Sequence, residues 1–326
     1  MASGVTRRGF IGASACAGLG IAMAPRARAA DGTGGGKAKV VVAHDTKALA
    51  NGVPVQSVVD AMVAKVIAGV AGKSNPDEAW KAIVPGSTER VAIKWNGLFT
   101  NASTRPEVVI AVVKGLVHAG VGEDRILLFD FCRGDYKNLG WSQVPGFPKV
   151  RCLGAQEDGG FGPEVKAGAV TTRLAKLLTD STDVLINIPR LKHHILTGCT
   201  FALKNHLGSI PKQGAKDLHG HTENIADLNA LGPIKSKTRL VVADTLIGIY
   251  DKGPTYQPGF TWEASSIMGG TDPVAIDAVG VGILKKHRES LGRAYKELKP
   301  PVTYLDRARE IGLGVADLDS IEVSQV

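Results

Sequence analysis

The sequence predicts an α/β fold: a mainly parallel sheet with helices on both faces, in Rossmann-like layering. Three observations lead there. Short apolar runs such as Val91-Ala92-Ile93, Leu127-Leu128-Phe129 and Leu185-Ile186-Asn187-Ile188 read as strands buried on both faces. Longer segments with helical apolar spacing and start signals lie between them, so strands and helices alternate. Finally, each run gives way to charged or amide side chains, as strands do where their carboxyl ends face a ligand crevice.

Taken in order, the first strand covers residues 40–43 and the first helix 55–70. Asn75-Pro76-Asp77-Glu78 is a helix-start signal ahead of Trp80. A strand follows at 90–94. Thr104-Arg105-Pro106-Glu107 reads as a capping box opening a helix over 108–119. Strands are expected at 125–131 and 149–153, a helix at 171–178, and a strand at 183–188. Helices at 200–207 and 223–231 precede strands at 239–243 and 265–268. Asp272 caps a helix over 274–286, with Pro273 at its first position. A helix at 302–310 and a strand at 321–323 close the chain, and no internal repeat stands out.

The first thirty residues read as a targeting signal. Arg7-Arg8 precedes a short apolar segment of small residues, and Ala27-Arg28-Ala29 supplies a small-x-small cleavage site. The expected organisation is a twin-arginine signal peptide at 1–29, a flexible lead-in at 30–38 and a single α/β domain at 39–326. Export through the twin-arginine machinery, a periplasmic or otherwise exported location and no stable membrane anchor after cleavage follow. Part of the net charge of +8 resides in the leader arginines, so the remainder is only mildly basic. With 5% aromatics and no basic stripe, nucleic-acid binding is not expected.

Cys132, Cys152 and Cys199 follow the leader. The odd count leaves at most one internal bridge, with Cys132–Cys152 as the candidate pair. No C-x-x-C spacing occurs, so no iron–sulfur cluster is expected. Walker, H-E-x-x-H and G-x-S-x-G motifs are missing, which counts against the common motif-bearing nucleotide enzymes and hydrolases.

Residues 184–212 carry the densest chemistry. A strand runs into Arg190, Lys192, His193 and His194, and a helix then carries Lys204, Asn205 and His206. Other strand ends add Lys94 and Asn96, Asp130, and Asp244. Parallel neighbours would bring these ends to one rim. Lysine and arginine there suit a phosphate, sulfate or carboxylate group, and the two aspartates suit a metal or a neighbouring base. His193, Lys192 and Lys204 are the expected catalytic groups. Lys94, Asn96, Arg190, Asn205, Asp130 and Asp244 are the expected ligand-binding groups. His193 and His194 point to opposite faces of an extended segment, and His193 is preferred for the site. His219-Gly220-His221 would set two imidazoles on one side if extended, the expected place for a divalent metal. Asp277 is expected to give structural support.

Four ordered segments carry a resemblance: Lys94-Trp95-Asn96, Asn187 to His194, Ala202 to Gly208, and Gly270 to Ala278. They resemble the K-P-N, N-x-P-K-x-K-x-H, A-L-K-N-x-x-G and D-P-V-A-x-D-A patterns of the domain-of-unknown-function family numbered 362, over roughly residues 38–324. Trp95 stands for the family's usual proline and Arg190 for its usual lysine. The resemblance implies an α/β domain and, in many relatives, an appended iron–sulfur ferredoxin module; the cysteine spacing of that module is missing here. Three functions stay open: an exported enzyme acting on a small anionic molecule, a carrier or maturation protein for a metal or cofactor, and a redox partner using Cys199.

Overall fold

The computed structural model describes residues 37–326 except 87, 135, 137, 138 and 293–296. The expected signal peptide lies outside the described residues. Eleven strands form the main sheet: β1 (Ala38–His44), β2 (Val91–Trp95), β3 (Ile126–Asp130), β4 (Gln143–Val144), β5 (Phe147–Gly154), β6 (Val184–Ile188), β7 (Arg190–His194), β8 (Gly198–Thr200), β9 (Thr238–Ile249), β10 (Thr261–Gly270) and β11 (Ile321–Gln325). The spatial order is β11-β1-β10-β9-β6-β2-β3-β5-β4, with β7 pairing β8 and β9.

The sheet is mixed. β9, β6, β2, β3 and β5 run parallel to their neighbours in that order. β10 lies antiparallel between β1 and β9, and the β7–β8 and β4–β5 pairs are antiparallel too. The sequence did not mark this change because a strand buried on both faces shows the same apolar run in either direction.

Alternation along each strand separates two cores. Ile93, Trp95, Ile186, Ile188 and Leu240 pack against α1 (Gln56–Ala71), α2 (Pro76–Ile83) and α3 (Pro106–His118). Ala92, Leu127, Phe129 and Leu185 face the opposite layer, which contains α5 (Lys212–Gly220), α6 (Asn224–Ala230) and α8 (Thr303–Glu310). The long α7 (Pro273–Ser290) packs on Val40, Val42, Val241 and Met268. Between β8 and α5 sits a single turn, α4 (Ala202–Asn205).

Two start signals act as read. The Asn75 side chain accepts from the N–H groups of Asp77 and Glu78, and Asp272 accepts from Val274 and Ala275. The capping box does not form: α3 begins at Pro106, and the Thr104 hydroxyl donates instead to the Ile188 carbonyl, 2.7 Å away. The helix expected at 171–178 is a strand, Val170–Ala175, paired with Phe161–Ala167, followed by one helical turn at Lys176–Thr179. Val170, Thr172 and Leu174 are buried and Thr171 and Arg173 exposed, a period of two that the apolar spacing concealed. Cys152 is a free, buried thiol, so the candidate Cys132–Cys152 bridge is not formed.

Candidate functional site

In β2 the even positions point away from α1–α3, which sends Lys94 to the opposite side of the sheet. Its register partner on β6 is Asn187. Neither has any exposed surface. A buried ammonium needs an opposite charge and hydrogen bonds. Lys94 Nζ donates to Asp130 Oδ1 at 2.8 Å, from the end of the adjacent strand β3, and to Asn205 Oδ1 at 3.3 Å. Asp130 in turn accepts from the backbone N–H groups of Gly97 and Phe131.

Asn205 is the hub. Its amide nitrogen donates to the Lys94 carbonyl and to Asn187 Oδ1, and its oxygen accepts from Asn96 Nδ2 at 3.0 Å. Asn187 closes the circuit by donating to the Ala202 carbonyl at the start of α4. Asp277 on α7 accepts from the N–H groups of Ala202 and Leu203, capping that turn from below. Burial pushes the Asp277 carboxyl up to about 8. This is the structural support expected of Asp277. Gly208 belongs to the same assembly: a Cβ there would overlap Asp130 Oδ1 and come within 2.8 Å of Lys94 Nζ. Only glycine lets the backbone pass this closely over the ion pair.

Beside the network opens a cavity of 590 Å³. Its inner wall carries Asn96, Asp130, Lys192, Lys204 and Asn205. Lys192 Nζ donates to Asn96 Oδ1 and to the Ala102 carbonyl. Burial, with Arg190 and Lys204 nearby, holds its pKa well below the usual lysine range. Lys204 Nζ lies 3.0 Å from His219 Nε2. Burial pulls Lys204 down to about 7 and His219 down to about 4. At neutral pH His219 is therefore a neutral acceptor, and Lys204 is poised between ammonium and amine. α5 supplies the outer wall with one face, Lys212, Ala215, Lys216 and His219.

The expected rim is only partly assembled around this cavity. Lys192, Lys204, Asn96, Asn205 and Asp130 line it, and Lys94 stands directly behind Asp130. Arg190 and Asp244 do not line it. Their side chains brace the 101–105 segment: Arg190 donates to the carbonyls of Asn101, Ser103 and Ile247, and Asp244 accepts from the Arg105 N–H at 2.8 Å. Burial moves the Arg190 guanidinium down to about 10.

The two neighbouring histidines do take opposite faces, but His194, not His193, reaches the cavity. Lys192 and His194 share a face because a strand repeats every two residues. His194 stacks on His219 with ring centres 5.2 Å apart, and burial pushes it strongly down. His193 turns to the far side, 3.3 Å from the Lys299 carbonyl and 3.8 Å from Asp251. His206 is buried, paired with Ser209 and pushed down to about 3. His219 and His221 are not on one side of an extended segment. His219 ends α5 facing the cavity, whereas His221 follows the helix and lies exposed, 3.9 Å from Glu223. Among the described residues no three His, Cys, Asp or Glu side chains gather in a way that could hold a metal ion.

Lys212, Lys216 and the apolar wall residues escaped the sequence reading. Their signal was the helical spacing of Lys212, Ala215, Lys216 and His219, which the extended reading of 219–221 hid.

A protein of Synechocystis sp. described as "Thylakoid-associated protein sll1697" is 30% identical over 224 residues, covering 62% of this chain and 64% of that protein. The chain thus spans under two thirds of that relative's length. Among solved structures, a Thermotoga maritima protein has a TM-score of 0.46 at 11% identity, covering 72% of this chain and 59% of the other. The lactate racemase apoprotein of Thermoanaerobacterium thermosaccharolyticum has a TM-score of 0.38 at 7% identity, covering 76% and 57%. Residues 91–282, more than half of the chain, match the family described as "Domain of unknown function (DUF362)". That span runs from the strand bearing Lys94 to the helix bearing Asp277 and holds every cavity residue named above, and the chain belongs to this family.

Proposed function

We propose that this chain is an exported protein that binds a small anionic molecule in the 590 Å³ cavity and acts on it as an enzyme. The observation that carries the reading is the charge of the wall. Lys192, Lys204, Lys212 and Lys216 line the cavity against one carboxylate, Asp130, which Lys94 already pairs. Such a wall is incomplete without an incoming negative charge. Lys204 and His219 form a couple that can give and take a proton near neutral pH, the requirement for acid–base catalysis. Lys192, held by Asn96 and Ala102, orients the anion. The Arg7-Arg8 pair ahead of a short apolar segment of small residues supports the exported, periplasmic placement.

The test is native mass spectrometry of the exported protein, followed by calorimetry with phosphate, sulfate, acetate and pyruvate as probes. Lys192→Met and Lys204→Met are each expected to abolish the binding that the unmodified protein shows while retaining its circular-dichroism spectrum. Normal binding by both variants would refute the assignment.

The carrier reading depended on His219 and His221 acting together. Their separation removes that pair, and His219 is committed to Lys204. The redox reading needs a reachable Cys199. Its thiol has no exposed surface, and burial pushes it strongly up, which favours the anion-binding reading over both.

A further inference from the structure

The cavity is not polar throughout. Its charged groups lie on the inner and α5 walls, while most of the rest is apolar. Leu98 and Phe99 come from the loop after β2, Ile195 and Leu196 from the β7–β8 turn, and Phe131, Leu207 and Pro254 add to the apolar lining. Three of these are among the most exposed large apolar side chains described: Leu98 at 54%, Ile195 at 59% and Leu196 at 50%. Exposed leucine or isoleucine scattered singly needs no explanation. Three gathered at the mouth of one cavity, over a floor of buried lysine, do. The mouth is also fixed in place. The Ile195 N–H donates to the Gly253 carbonyl, and Leu196 N–H donates to His194 Nδ1. The opposing loop is held by Arg190, Lys192 and Asp244. An apolar throat leading to two lysines is a poor receptor for a fully hydrated anion such as phosphate. It matches a molecule with one charged end and an apolar body.

We infer that the ligand is an amphipathic anion, whose acid group meets Lys192 and Lys204 while its hydrocarbon or aryl body lies along Leu98, Phe99, Leu196 and Leu207. This rests on the anion-binding reading above and names the ligand's class. Binding transfers both the body and the throat out of water, so affinity should grow with apolar length. The depth of the throat sets where that growth stops.

The experiment is titration calorimetry of the full domain at pH 6.5 with straight-chain monocarboxylates from acetate to decanoate, and with decan-1-ol. Affinity is expected to rise by about fourfold per methylene before levelling off. Decan-1-ol should bind at least tenfold more weakly than decanoate. Leu98→Ser with Leu196→Ser, both at exposed positions, should lower the chain-length slope, and Lys192→Met should abolish the binding of every acid. Acetate or phosphate binding with no dependence on chain length would overturn this inference and leave the anion reading standing. Decan-1-ol binding as well as decanoate would overturn it by removing the role of the charge. Failure of every acid and of phosphate to bind would overturn both.

Discussion

Replacing Lys94 with methionine should unfold the network from its centre. The substitution keeps length and volume but removes the ammonium, leaving Asp130 buried at 3% exposure without that charge partner. At the observed 2.8 Å separation, an effective dielectric of about 20 gives an attraction of about 6 kcal/mol. Desolvation of both ions consumes a large part of that, which is why removing one partner of a buried pair costs about 3–5 kcal/mol. Asp130 still accepts from Gly97 and Phe131, so the cost should fall toward the lower end. Urea unfolding followed by circular dichroism measures it, with Asp130→Asn and the double variant completing a cycle. The double variant should recover about 2 kcal/mol relative to the sum of the singles, because the charge orphaned in each single variant is absent from the double. A Lys94→Met cost below about 1 kcal/mol, or strictly additive losses, would refute the account of Lys94 and Asp130 as one buried unit.

Other outcomes follow from the same geometry. Lys204 is held at about 7 against an ordinary value of 10.5, so anion affinity should fall as pH rises through 7 and the ammonium is lost; Lys204→Arg, whose guanidinium stays charged, should flatten that pH dependence in calorimetry. The same depression means the unfolded chain binds more protons between pH 7 and 10.5, so this group's contribution to stability grows with pH across that window and is lost as pH falls through 7. Asp277 behaves in the opposite sense: raised from 3.8 to about 8, its contribution is present at low pH and disappears as pH rises through 8. Asp277→Asn keeps one acceptor oxygen for two N–H groups and should cost about 1–2 kcal/mol, whereas Asp277→Leu, which orphans both the Ala202 and Leu203 N–H groups, should cost about 2–3 kcal/mol in urea unfolding. Gly208→Ala should cost about 1–3 kcal/mol through overpacking onto Asp130 and Lys94, read as a lower urea midpoint. Cys152 and Cys199 should resist a thiol reagent until the protein is unfolded, since both are buried and shifted upward.

Much of this molecule is legible along the chain because strands buried on both faces must be apolar, and helix starts must satisfy their own N–H groups. That is why the runs around Ile93, Leu128 and Ile186 and the caps at Asn75 and Asp272 can be read locally. The same locality identifies Lys94, Asn96, Lys192, Lys204 and Asn205 as unusual, since charged and amide groups beside buried strands require partners. Which partners they find is not a local property. The direction of β10, the pairing of Lys94 with Asp130, and the reach of His194 rather than His193 depend on crossings between strands distant in sequence. Arg190 and Asp244 look from the sequence like Lys192, yet tertiary packing turns them toward the 101–105 backbone. The helix that sets Lys212, Lys216 and His219 on one cavity wall likewise separates His219 from His221. The sequence by itself determined the layers and the chemical inventory, because burial and capping act over a few residues; only the tertiary structure decided which of those groups share a cavity, because that depends on register and on which face each strand turns inward.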